Sequence, residues 1–273
     1  MRKWSRMILK AVTLLLLTVF CLAVDGRPNA DPVNKPEENK EKAAGAKKAS
    51  MNKSDELEKM LAIGSVRLSV KEAGGGTDMI LIHGRTRSKE DMNPLFNHYK
   101  DKYHVVSYDV RGHGKTESGG KCTLDDLSDD LVKLIEAYQL KQPVVIGFSM
   151  GSYIALRTAE RYPDLFAGII LIGTRGKGHV SQFSLSDMVA DAMANFDNMT
   201  DISKVNVPAL VLTGEKDFIN PPEEGAKVAK ALPDAKFKLV PNAGHEAYRT
   251  NPDFVFAQTD AFLNHLTLSQ VGE

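Results

Sequence analysis

The chain has 273 residues, and Lys plus Arg equals Asp plus Glu at 35 each, so its formal net charge is zero. That balance argues against a nucleic-acid partner, which an excess of cations would be needed to hold. With only two cysteines, Cys21 and Cys122, the chain has no disulfide framework, and its stability must come from an apolar core.

The N-terminal segment differs from the rest. Arg2, Lys3, Arg6 and Lys10 precede an apolar run from Ala11 to Val24 that contains Leu14, Leu15, Leu16 and Leu17. A cationic flank before an apolar core is the layout of an export signal. Counted from Met7, the apolar stretch approaches the length of a membrane span, and Ala23-Val24-Asp25 is a poor small-x-small cleavage site. Residues 1–24 are therefore expected to be a signal peptide or an uncleaved N-terminal anchor. The protein would be exported, either secreted or held at the outer face of the cytoplasmic membrane, and membrane association would run through this segment. Residues 25–54 are rich in Pro, Asn, Lys, Glu and Ala and poor in large apolar groups, which predicts a flexible tether. Residues 55–273 then suit one α/β domain of ordinary size.

Within that domain, Leu57 to Ile63 and Ser65 to Lys71, broken at Gly64, predict a hairpin. Strands follow at Met79 to His83, His104 to Asp109, Pro143 to Phe148, Ala167 to Gly173, Val207 to Gly214 and Phe237 to Val240. Helical segments alternate with them. Leu127, Leu131, Leu134 and Ile135 share one face of a helix from Leu124 to Tyr138. Such alternation predicts a mostly parallel central sheet flanked by helices on both faces. The run Gly74-Gly75-Gly76 precedes a strand instead of following one, so it reads as a turn and not a phosphate cradle, and no cofactor is called for.

Between Gly173 and Val207 there is room for a loop, Thr174 to Phe183, and little more than one helix. Ser184-Leu185-Ser186-Asp187 has the spacing of a capping box, and Leu185, Met188, Val189, Ala192, Met193 and Phe196 make one apolar face. That face either packs on the sheet or, through its methionines, lines a pocket. In both cases the site should be comparatively open.

The segment most informative about chemistry is Gly147-Phe148-Ser149-Met150-Gly151, set between a predicted strand and a predicted helix. A serine on so sharp a turn needs glycines two residues to either side, because side chains there would clash. Its hydroxyl is then held clear of the sheet, and the Met150 N–H lies at a helix N-terminus, where partial positive charge favours an oxyanion. Such a serine needs a histidine base and an acid to orient it. Asp217 follows one strand and His245 follows another, both in loops past carboxyl ends, where parallel sheets place their ligands. The order Ser149, Asp217, His245 is the one this elbow requires. A cap on the helix beginning near Pro221 is the alternative role for Asp217.

Across residues 55 to 273 the chain resembles the α/β-hydrolase family. The elbow and the Gly214-to-His245 region carry the resemblance, together with Ile80-Leu81-Ile82-His83-Gly84-Arg85 and the loop Tyr108-Asp109-Val110-Arg111-Gly112-His113-Gly114-Lys115-Thr116. The resemblance implies a second oxyanion-hole N–H at Arg85, beside that of Met150. It also implies that His83, Asp109 and Arg111 brace loops instead of taking part in chemistry. Arg85 departs from the small or aromatic residues common at its position. With Arg87 it either favours an anionic substrate or points into water, the latter being the default. The function expected is a serine hydrolase cleaving carboxylic esters of a small-molecule acyl substrate. The alternatives are a cofactor-free perhydrolase or haloperoxidase using the same three residues, and a non-enzymatic ligand sensor on the same scaffold.

Overall fold

In a computed structural model the described residues are 55–116, 120–179 and 188–271. The expected export segment, the tether and the proposed capping box at Ser184 to Asp187 lie outside them. Among the described residues no helix is long and apolar enough to cross a membrane.

Eight strands form one sheet. In chain order they are β1 (Leu57–Ile63), β2 (Val66–Ala73), β3 (Asp78–Ile82), β4 (His104–Tyr108), β5 (Val144–Phe148), β6 (Gly168–Ile172), β7 (Ala209–Gly214) and β8 (Ala235–Val240). They lie side by side as β1-β2-β4-β3-β5-β6-β7-β8. β1 pairs antiparallel with β2, and β2 antiparallel with β4. All later neighbours are parallel. β3 to β6 are buried at every position and are mostly apolar, with Asp78, His104 and Ser107 as buried polar exceptions. The edge strand β8 instead exposes Lys236 and Lys238, charges that discourage pairing with another chain.

Seven α-helices among the described residues cover the faces. They are α1 (Asn93–Tyr99), α2 (Leu124–Tyr138), α3 (Met150–Arg161), α4 (Ala190–Asn195), α5 (Pro222–Ala231), α6 (Ala247–Thr250) and α7 (Pro252–Val271). One core packs Leu131 and Leu134 of α2, Ile154 of α3 and Val228 of α5 against one face of the sheet. The other packs Phe96 and Tyr99 of α1, Tyr248 of α6 and Phe262 of α7 against the opposite face. The start of α2 is set by a capping box: Asp126 N–H donates to Thr123 Oγ1 at 3.2 Å, and Thr123 N–H donates to Asp126 Oδ2 at 2.8 Å. In the segment after β6, Val189, Ala192, Met193 and Phe196 join the α2/α3 core. Its apolar face thus packs inward, while Met188 lies against Gly112.

His104 begins β4 between two carboxylates. Its Nδ1 is 2.8 Å from Asp78 Oδ1 and its Nε2 is 3.3 Å from Glu72 Oε2, with Lys59 completing the cluster on Glu72. The hydrogen bonds to Asp78 and then Glu72 raise the imidazole pKa to about 9 against the opposing effect of burial. Because the folded value lies above the unfolded one, the stabilisation is fully present below about pH 6.5 and is lost as pH rises through about 9. The thermal midpoint of the native protein minus that of His104→Gln is therefore expected to shrink by about 3 °C or more between pH 6 and pH 10. A difference that stays constant over that range would show that His104 is not charged in the fold.

Candidate active site

The elbow follows from the packing around it. Ser149 is the residue before α3 and adopts φ 51°, ψ −117°, a conformation that side chains rarely take. A Cβ added at Gly147 would lie 2.3 Å from the Gly151 carbonyl oxygen, and one at Gly151 would lie 2.2 Å from that of Ile82. Both positions face backbone that has no room to move. The strained turn is held by the Ser149 N–H, which donates to the Ile172 carbonyl of neighbouring β6 at 2.8 Å. Beyond the turn, the Ser149 carbonyl accepts from Ser152 N–H at 2.8 Å and from Ser152 Oγ at 2.6 Å.

His245 and Asp217 arrive from two loops that interlock. Glu215 N–H donates to the Val240 carbonyl at 3.0 Å, Lys216 N–H to that of Ala243 at 2.8 Å, and Asn242 N–H to Glu215 Oε2 at 2.8 Å. The result is a continuous chain of side chains. His245 Nε2 is 3.0 Å from Ser149 Oγ, and His245 Nδ1 is 2.7 Å from Asp217 Oδ2. With Nδ1–H donating to the carboxylate, Nε2 is left as the acceptor of the serine proton. Asp217 is 3 % exposed. Its other oxygen accepts from Ile219 N–H and Asn220 N–H, both at 2.9 Å, so it closes a turn ahead of α5 and does not cap that helix. The Phe148 ring packs beside His245, with centroids 5.0 Å apart.

The backbone implied for the oxyanion lies on both sides of the serine. Met150 is the first residue of α3, whose initial N–H groups lack partners within the helix. Gly84 packs against the elbow so closely that an added Cβ would be 3.3 Å from Ser149 Cβ, and Arg85 is the next residue. His83 fixes this loop. Its Nδ1 donates to the Gly84 carbonyl at 2.7 Å, and its Nε2 accepts from Val110 N–H at 2.9 Å. Burial lowers its pKa to about 4, which keeps it neutral, as that acceptor role requires.

Asp109 and Arg111 brace loops as well, but not as a pair. Asp109 accepts from the backbone of Lys89 at 2.7 Å and of Lys115 at 2.9 Å, with Lys89 Nζ at 3.3 Å. Arg111 reaches across to α2 and grips Asp130 through two bonds of 2.8 and 2.6 Å. Arg87 is exposed, as its default expectation has it, but its charge is paired. Arg87 pairs with Glu246, next to His245, and lies 3.7 Å from Asp91, while Arg249 donates to Asp91 Oδ1 at 3.0 Å. These four charges tie the loop after β3 to the loop carrying His245.

Two residues around the site belong to no motif in the sequence. Tyr153 lies one turn along α3 from Ser149, on the same side of the helix. Its hydroxyl accepts from Asn220 Nδ2 at 2.6 Å, and the same amide also donates to the Gly173 carbonyl. Asn220 thereby links α3, the end of β6 and the Asp217 loop. The four-residue spacing from Ser149 was the only clue to Tyr153 in the sequence. Among the described residues no group of three His, Cys, Asp or Glu side chains is placed to hold a metal ion.

Comparison with known proteins agrees with this architecture. Residues 79–202 match a family model described as alpha/beta hydrolase fold, and residues 160–272 match one described as TAP-like protein. The chain is 30% identical over 119 residues to 2-(acetamidomethylene)succinate hydrolase of Mesorhizobium japonicum, a match covering 42% of each protein. Among solved structures, a thermophilic esterase from Thermogutta terrifontis superposes with a TM-score of 0.68 at 23% identity, covering 78% of this chain and 99% of the esterase. A bromoperoxidase from Bacillus anthracis superposes with a TM-score of 0.69 at 20% identity, covering 76% of this chain and 100% of that one.

Proposed function

This chain belongs to the alpha/beta hydrolase fold family, and from that premise we propose that it is a serine hydrolase cleaving carboxylic esters or related acyl bonds. The observation that carries the reading is the Ser149–His245–Asp217 chain, with contacts of 3.0 and 2.7 Å, set at a strained elbow. In this mechanism His245 takes the Ser149 proton as the oxygen attacks the acyl carbon, and Asp217 orients the imidazole and stabilises its cation. The N–H groups of Met150 and Arg85 receive the tetrahedral oxyanion. His245 then returns the proton to the leaving group, and water, activated by the same imidazole, releases the acyl group.

The relative from Mesorhizobium is named for a substrate bearing an acetamido group, so the acyl bond to be tested includes amides as well as esters. The experiment combines labelling by a fluorophosphonate with a panel of acyl esters of increasing chain length and matched amides, with peracid formation from hydrogen peroxide followed in parallel. Covalent labelling with turnover of at least one ester is the expected result. Peracid formation that outruns hydrolysis would favour the perhydrolase alternative. No labelling and no turnover across the panel would leave a ligand-binding role on the same scaffold.

Export is part of the proposal, supported by the basic flank and apolar core of residues 1–24. Fractionation with N-terminal sequencing tests it. A new N-terminus near residues 24 to 31 in a soluble exported fraction marks cleavage, and an intact Met1 in the membrane fraction marks an anchor. Full-length protein confined to cytosol contradicts both.

A further inference from the structure

Most of the arginines packed around the fold are committed to carboxylates. Arg87 holds Glu246, Arg249 holds Asp91, Arg111 holds Asp130, Arg157 holds Asp125 and Arg161 holds Asp129. Arg175 differs. It is half-buried, and its Nε is buried with no hydrogen-bond partner. A guanidinium is a rigid fork shaped for a carboxylate, and a buried donor left unpaired is unfavourable until something accepts from it.

Its place in the chain keeps Arg175 near the end of β6, where the elbow is held, and its charge is felt at Tyr153. Arg175 is three residues past Ile172, whose carbonyl accepts the Ser149 N–H, so even a fully extended chain keeps its Cα within about 11 Å of that residue. The chain does not run straight away. Gly173 turns with φ +61°, so close to the site that an added Cβ would lie 3.1 Å from His245 Cε1. On the far side, Gly176 accepts from Asn198 N–H at 2.8 Å and Gly178 N–H donates to the Phe196 carbonyl at 2.7 Å. Phe196 stacks on Tyr153, with ring centroids 4.7 Å apart, and Asn198 Nδ2 donates to the Tyr153 carbonyl at 2.9 Å. Arg175 is thus pinned between the end of β6 and the Tyr153 side of the site. Burial raises the pKa of the Tyr153 hydroxyl, and the hydrogen bond from Asn220, the charge of Arg175 and contact with Ser149 all oppose that rise.

We propose that Arg175 anchors a carboxylate carried by the acyl substrate, so that the enzyme takes anionic acyl compounds, half-esters or half-amides of short dicarboxylic acids, in preference to neutral ones. The proposal rests on the serine hydrolase reading, since it places the carboxylate at Arg175 while the acyl carbon meets Ser149. It assigns Arg175 to specificity and leaves the bond-breaking to Ser149, His245 and Asp217.

The test compares kcat/KM for 4-nitrophenyl hydrogen succinate with that for 4-nitrophenyl butyrate, which has the same acyl chain length without the carboxylate, in the native protein, Arg175→Gln and Arg175→Lys. Calorimetric titration with succinate is run on the same three proteins. The native protein should favour the anionic ester by about tenfold or more, and Arg175→Gln should lower the anionic-to-neutral ratio by about fiftyfold, chiefly through KM. Arg175→Lys should recover part of the ratio, keeping the charge without the fork. Succinate should bind the native protein and bind Arg175→Gln at least about tenfold more weakly. A native preference for the neutral ester, or a ratio unchanged in Arg175→Gln, overturns the proposal while leaving the hydrolase reading intact. If neither ester turns over and fluorophosphonate does not label, the hydrolase reading fails, and succinate binding that ignores the Arg175 substitution removes the carboxylate site as well.

Discussion

Ser149→Ala is expected to abolish fluorophosphonate labelling and to reduce ester turnover by about three orders of magnitude or more, with the thermal midpoint little changed. The size of the loss follows from the chain of contacts. Removing Oγ deletes the atom that bonds to the acyl carbon and leaves His245 Nε2, now 3.0 Å from an empty hydrogen-bond position, with nothing to deprotonate. The fold should tolerate the change, because the elbow is set by backbone contacts, including the 2.8 Å bond from Ser149 N–H to Ile172, which alanine keeps. Alanine has a Cβ as serine does, so it meets the same unfavourable φ of 51° and adds no new strain. His245→Ala should cost turnover comparably, and Asp217→Asn should also cost orders of magnitude, since an amide N–H facing Nδ1 favours the wrong imidazole tautomer. Labelling of the alanine variant at the native rate would remove Ser149 from the nucleophile role.

Much of this site was legible because the relevant chemistry is local. The two glycines around Ser149, the strand ends before Asp217 and His245, and the order of the three residues are all visible in short windows, and β5 and β6 read as continuous apolar runs. Contacts set by the topology were not. Arg111 is two residues from Asp109 yet pairs with Asp130, because α2 is brought over the loop only when the sheet assembles. Arg87 finds Glu246 from a loop 159 residues away in sequence. The neighbours of Arg175 and the bond between Asn220 and Tyr153 likewise span three separate segments. No periodicity encodes such pairings, since each partner looks alone like an ordinary surface polar residue. Strand ends also shifted. β2 begins at Val66 and runs to Ala73 because its later half pairs with β4, a register that the hairpin alone does not specify.

Gly151→Ala is expected to be strongly destabilising and to remove labelling with it. The added Cβ would sit 2.2 Å from the Ile82 carbonyl oxygen and 2.9 Å from that of His83, well inside contact distance. Both are backbone atoms. Ile82 pairs with Tyr108 on one side and Gly147 on the other, so relief requires either breaking into the middle of the sheet or lifting α3 off it. Overpacking in a tight interior costs about 1–3 kcal/mol and occasionally more, and here the rigid neighbours favour the upper end. In a domain of this size that corresponds to a fall in thermal midpoint of roughly 5–10 °C. Activity should fall further still, because lifting α3 moves Met150 and turns Ser149 Oγ away from His245. Gly75→Ala is the matched control. Nothing lies within 4 Å of its added Cβ and its φ is not in the left-handed region, so the same methyl group there should change the midpoint by only a degree or two. If Gly151→Ala melts with that control and is labelled at the native rate, the close approach of helix and sheet is not what holds the serine in place.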